Sequence, residues 1–206
     1  TRGLLENTVI IFATDHGDHL GDHGLEGKAT HYDAACHIPL LIRPPGGSQA
    51  SVSDDLVELR DVTATMLGLA GCDLPSYMDS QPLPGLGLSS PPPRTRIFGA
   101  LTKSWMAFDG RWKLCKYSEG EALLFDLETD PTEERNLAAD PAFGHVYRRL
   151  DAELTREIMN AMALGLHDRL IAPHSLAESD EFGDRGWQWR FPADASEATE
   201  VGDDYF

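Results

Sequence analysis

The 206 residues carry 17 Lys and Arg against 34 Asp and Glu, a formal net charge of -17. Such a chain repels polyanions, so nucleic acid and anionic membrane surfaces are excluded as partners, and an anionic substrate needs a cation or a few local Lys and Arg. Hydrophobic residues make up 41%, enough for one core or a core plus a small subdomain, and no apolar run approaches bilayer length.

The chain opens at Thr1, without an initiator Met or a signal peptide, a few residues before an apolar run. It is therefore expected to be the C-terminal part of something longer, which leaves the compartment open between cytoplasm and periplasm. Residues 8–13 read as a first strand, with Val9-Ile10-Ile11-Phe12 continuous enough to be covered on both faces. Residues 15–30 are a Gly- and His-rich loop. Ligands of open α/β sheets bind just beyond the carboxyl ends of strands. There, Asp15 and His16 can offer an oxygen and an imidazole nitrogen to one divalent cation.

Ile38 to Arg43 read as a second strand, entered at Pro39 and ended by Pro44-Pro45-Gly46-Gly47. Residues 54–70 have Leu56, Leu59, Val62, Thr63, Met66, Leu67 and Ala70 at helical spacing, with Ser53 or Asp54 as N-cap and Gly71 at the C-terminal end. Residues 73–95, rich in Pro, Gly and Ser, read as a linker or wrapping loop. Residues 96–101, 104–109, 111–117 and 122–127 are short strands of an antiparallel sheet, punctuated by Asp109-Gly110 and Glu119-Gly120. Asp140-Pro141 opens a helix with Val146, Leu150, Leu154 and Ile158 as its stripe. After Gly165 the chain reads as irregular, docked by Trp187, Trp189, Phe191, Tyr205 and Phe206. Cys36, Cys72 and Cys115 are too widely spaced for a disulfide framework or a zinc pattern, and are expected to be small buried hydrophobes.

Four landmarks in order resemble the sulfatase family of the alkaline phosphatase superfamily. They are TDHGDHLGDHGLEGK (14–28); Tyr32 followed by HIPLLIRPPG (37–46); LVELRDVTATMLGLAG (56–71); and DGRWKL (109–114) with LFDLETDPTEERNL (124–137). The resemblance covers roughly residues 5–160. The Asp-His pair matches the subgroup of iduronate-2-sulfatase-like and choline-sulfatase-like enzymes, and also phosphonate monoester hydrolases. The implied fold is α/β. Residues 1–95 would be the C-terminal part of the mixed, mostly parallel catalytic sheet with its helices. Residues 96–165 would be a small antiparallel sheet plus C-terminal helix, and 166–206 an irregular docking tail.

By the same resemblance, Asp15 and His16 are metal ligands and Lys28 is the catalytic lysine facing the sulfate and its bridging oxygen. Gly17, His19, Asp22, His23 and His37 belong to the surroundings of the metal or pocket, with simple loop hydrogen bonding equally open for Asp22 and His23, and His37 read first as a structural histidine. Trp112 is expected to pack, and the acidic run 128–134 to be a solvated turn. The implied cofactors are one divalent ion, Ca2+ first and Mn2+ or Zn2+ as alternatives, and a formylglycine nucleophile from a C/S-x-P-x-R motif. The letters of that motif occur here once, Ser90-Pro91-Pro92-Pro93-Arg94, in the Pro-rich segment read above as a linker rather than ahead of the first strand. The nucleophile's motif is expected, with two further Asp ligands, in an N-terminal half of the same fold. The implied reaction is metal-dependent hydrolysis of a small-molecule or saccharide sulfate ester, with this chain carrying part of the active site. The alternatives are a phosphonate monoester or phosphodiester hydrolase on the same scaffold, and an inactive fragment.

Overall fold

A computed structural model of the chain describes residues 2–47, 49–75, 78–89 and 91–170. Strand β1 (Ile10–Ala13) pairs antiparallel with β2 (Leu40–Arg43), with Phe12 opposite Leu41. Between them lies the short helix α1 (Asp33–Cys36). The expectation that the first strand is covered on both faces is corrected. Ile10, Phe12 and Leu41 share one face of the pair, and Phe12 and Leu41 are each 60% exposed. No described residue covers that face, so alternate side chains remain in water.

Helix α2 (Leu59–Leu69) begins later than the sequence suggests. Its N-terminus is made by a capping box in which Glu58 and Asp61 each accept the other's backbone N–H, so Ser53 and Asp54 lie outside the helix. Gly71 follows it at φ +72, the left-handed conformation that ends many helices. The buried face is Asp61, Ala64 and Thr65, whereas Leu59 and Met66 of the expected apolar stripe are exposed. Polar anchoring decides this orientation. Asp61 accepts both terminal nitrogens of Arg94 and the Gln81 amide, and Thr65 Oγ1 accepts the Leu83 amide at 2.7 Å. The Pro- and Gly-rich segment is thereby strapped to α2.

Strands β3 (Ile97–Leu101), β4 (Ser104–Phe108), β5 (Trp112–Tyr117) and β6 (Ala122–Asp126) form a four-stranded antiparallel meander in sequence order. The turn glycines Gly110 and Gly120 have φ of +95 and +97, which a side chain would resist. Asp140 accepts the Ala142 amide and caps a 3-10 turn that leads into α3 (Gly144–Leu170). Val146, Leu150 and Leu154 of α3 pack on Ala107, Leu114, Leu124 and Leu137, the principal core. Each fully buried Leu there contributes about 2 kcal/mol. Trp112 packs against the same core, its ring 5.5 Å from that of Phe143. Helix α3 runs past Gly165 to Leu170, so the irregular region does not begin at 166; residues 171–206, with the expected aromatic anchors, lie outside the described residues. Among the described residues no helix is long and apolar enough to cross a membrane. Of the cysteines only Cys115 is buried; Cys36 and Cys72 are exposed, because each follows or ends a surface helix.

Asp61 supplies the first test. Burial alone would raise its pKa, but the Arg94 guanidinium and the Gln81 and Glu58 amides override that and hold it below 3.8. A depressed folded pKa contributes stability above the unfolded value, lost as pH falls through the folded value. Urea unfolding should therefore show Asp61→Ala destabilised by about 3 kcal/mol at neutral pH, because the largely buried Arg94 loses its two-pronged partner and keeps only Glu58, 3.6 Å away. That difference should shrink as the pH drops below 3.8.

Candidate functional site

The loop after β1 is a closed ring of hydrogen bonds. Asp18 Oδ1 accepts the amides of Leu20 (3.0 Å) and Gly27 (3.2 Å), and the His19 amide donates to Gly27 O at 2.8 Å. This closure returns the chain to its origin. Lys28, twelve positions after His16, donates its ammonium to His16 Nε2. Asp18 is not among the residues expected at the site; an Asp two residues before a backbone amide that can donate to it is the signal, and it is a common turn signal.

His16 Nδ1 lies 2.7 Å from Gly17 O, a contact only an N–H can make, so in the neutral ring Nδ1 carries the proton. Nε2 then holds the lone pair, which Lys28 meets in this structure. Asp15 Oδ2 is 3.4 Å from the same Nε2, and its side chain is 78% exposed. Its own backbone amide holds the Asp15 carboxyl below 3.8, against slight desolvation, helped by charge at His16 and Lys28. An ionised carboxylate beside an imidazole lone pair fits two donors of a divalent-cation site. Among the described residues no group of three or more His, Cys, Asp or Glu could hold a metal, so Asp15 and His16 stand as a pair.

Gly17 is fixed by contact rather than by φ. Its N–H donates to Ala35 O at 2.9 Å, and a Cβ at this position would meet Ala34 O at 2.0 Å. The Asp15–His16 turn thus rests directly on the backbone of α1. His19 is buried, with Nε2 2.8 Å from Thr30 Oγ1 and Nδ1 facing no partner. His23, at φ +56, stacks on Tyr32 at 3.9 Å, and Tyr32 tilts onto Phe125 of β6. Asp22 is exposed, its amide donating to His19 O. His37 points to solvent, its Nδ1 3.2 Å from Asp33 Oδ2, and does not join Asp15, His16 and Lys28.

The acidic run is not wholly a solvated turn. Glu133 is 3% exposed at φ +57, accepts the Asp33 amide at 2.6 Å, and lies 2.7 Å from Lys113 Nζ. Lys113, on the face of the small sheet away from α3, also donates to Asp33 Oδ1 and to His31 O. Burial alone would lower its pKa; the acidic groups around it, Cys36, Asp33 and Glu133, outweigh that and hold it above 10.5. A lysine inside the apolar WKLC run is the signal for such a pairing, but it does not name the partner.

Replacing Gly17 by Ala should cost about 2 kcal/mol in urea unfolding, since the Ala34 carbonyl is backbone and cannot step aside cheaply. The same replacement should separate His16 from Lys28, seen as a changed His16 ring resonance.

Residues 1–72 match the sulfatase family model. Arylsulfatase K of Canis lupus familiaris is 34% identical over 176 residues, covering 76% of this chain and 32% of that protein. The phosphonate monoester hydrolase of Agrobacterium radiobacter superposes with a TM-score of 0.63 at 27% identity, over 75% of this chain and 35% of that one. A 2-O GAG sulfatase superposes at TM-score 0.66 and 24% identity, over 76% and 37%, a likeness of fold alone. The chain spans about one third of the length of the curated relatives it matches. Residues 1–72, which include Asp15, His16 and Lys28, thus match the sulfatase family, and the likeness to arylsulfatases extends over 76% of the chain.

Proposed function

We propose that this chain supplies the metal-and-lysine side of an active site that hydrolyses sulfuric esters carried by a small molecule or saccharide. The observation that carries the proposal is the convergence of Asp15, His16 Nε2 and the Lys28 ammonium at the end of β1. Kinship with arylsulfatases supports the ester class. Asp15 and His16 Nε2 would hold the divalent ion, Ca2+ by family or Mn2+ or Zn2+ by the imidazole's preference. When bound, the cation draws negative charge from the ester oxygens.

The chain's own contribution follows from its geometry. Gly17 O accepts from Nδ1–H, and in the neutral ring this leaves the lone pair on Nε2. The ring of bonds through Asp18 holds Lys28 at the site. Its ammonium is a fixed positive charge for the oxygen that departs, worth most where water is excluded. A formylglycine nucleophile would come from another C/S-x-P-x-R motif than the one at 90–94, whose Arg94 is engaged by Asp61. Residues 1–95 would then be part of the catalytic domain and 96–165 a supporting subdomain.

A second reading, a phosphonate monoester or phosphodiester hydrolase, is favoured by the likeness to the Agrobacterium enzyme. Complementing this chain with the N-terminal part of a sulfatase relative, and assaying an aryl sulfate against an aryl phosphonate monoester, separates the two. Faster turnover of the sulfate is expected, with Lys28→Ala lowering kcat about 100-fold and leaving KM nearly unchanged. Preference for the phosphonate would transfer the assignment to the second reading, and an unchanged kcat would remove Lys28 from the chemistry.

A further inference from the structure

The small sheet holds three charged groups that no catalytic step uses. Lys113 and Glu133 are 2% and 3% exposed, and Asp33 is half-buried between them and solvent. Charges are buried at a cost of several kcal/mol each unless paired, and a fully packed apolar set would often be as stable. Their placement is therefore better explained by what they orient than by what they stabilise.

All three converge on one short segment. Lys113 Nζ donates to His31 O at 3.1 Å and to Asp33 Oδ1; Glu133 Oε2 accepts the Asp33 amide at the first turn of α1. His31 Nε2 is also 3.1 Å from Ser104 Oγ of β4. Helix α1 has four residues, too few to hold itself in place. Its last turn presents the Ala34 and Ala35 carbonyls to Gly17, the residue that follows His16.

We propose that the Asp33–Lys113–Glu133 triad is a positioning device, which fixes α1 on the small sheet and through it sets the Asp15–His16 pair. The proposal rests on the assignment of that pair as metal ligands only for its functional consequence. The mechanical link runs from Lys113 and Glu133 to the Asp33 backbone, through α1, to the Ala35 carbonyl and the Gly17 amide. Neither Lys113 nor Glu133 touches His16. They act through α1, so they are positioning and not catalytic residues.

The test uses the full chain and reads amide hydrogen exchange by NMR at Gly17, against Leu114 and Leu124 in the sheet. In Lys113→Met, Gly17 should exchange at least 10-fold faster, with Leu114 and Leu124 changed far less. Lys113→Arg, which keeps a cation between the carboxylates, should restore most of the protection. If Lys113→Met does not fold, Glu133→Gln decides: it keeps an oxygen acceptor for the Asp33 amide but removes the charge, and should still speed Gly17 exchange severalfold. Unchanged Gly17 exchange in a folded variant overturns the proposal. So does an equal loss of protection at Gly17 and Leu124, which marks global destabilisation. A Mn2+ titration followed by water proton relaxation supplies a separate readout, with binding expected to weaken at least threefold in Lys113→Met. Absence of Mn2+ binding in the unaltered chain would contradict the ligand assignment while leaving the exchange result to judge the triad.

Discussion

A lysine ammonium cannot be left unpaired in an apolar interior, and Lys113, the second residue of β5, is 2% exposed. That one constraint organises the junction between the two parts of the chain. It draws Glu133 inward from an otherwise solvated turn, at a backbone φ of +57 that non-glycine residues seldom take. It also draws in Asp33 and the His31 carbonyl from the segment between β1 and β2. The meander is therefore covered on both faces. Apolar side chains of α3 cover one, and a polar, hydrogen-bonded segment covers the other. The first face is held by area and the second by pairing, and only the second requires a particular geometry.

The α/β part is built differently. Its few polar clamps are specific: the Glu58–Asp61 box with Arg94, the Asp18 ring, and the Gly17 contact with α1. Its apolar surface is not consumed. Ile10, Phe12 and Leu41 on the β-pair and Leu59 and Met66 on α2 remain exposed. These surfaces lie in the segment that matches the sulfatase family, in a chain spanning about a third of its relatives' length. Asp15, His16 and Lys28 lie in the same segment as these bare faces.

What could be read from the sequence follows from how local each cause is. The four strands of the meander were legible to within a residue or two because Asp-Gly and Glu-Gly turns delimit them. The stripe Val146, Leu150 and Leu154 was legible because it packs on the nearest sheet. The start of α2 was not, since Ser53 and Asp54 look like caps and the true box is chosen by Arg94, more than thirty residues on. The face that α2 buries was missed for the same reason. Burial of Glu133 was hidden in a run of acids, because its partner Lys113 is twenty residues away. At the site, the closeness of Lys28 and His16 could be expected only from the motif. The structure supplies the physical cause, the Asp18 carboxylate that closes the loop.

The account depends on His16 offering Nε2 as a donor. Nitrogen-15 NMR of the imidazole in the metal-free chain tests this most directly. The account predicts that the neutral ring carries its proton at Nδ1, and that the Nε2 resonance shifts when Zn2+ is added while sheet resonances around Lys113 stay in place. A ring protonated at Nε2, or an Nε2 indifferent to every divalent cation, would contradict it.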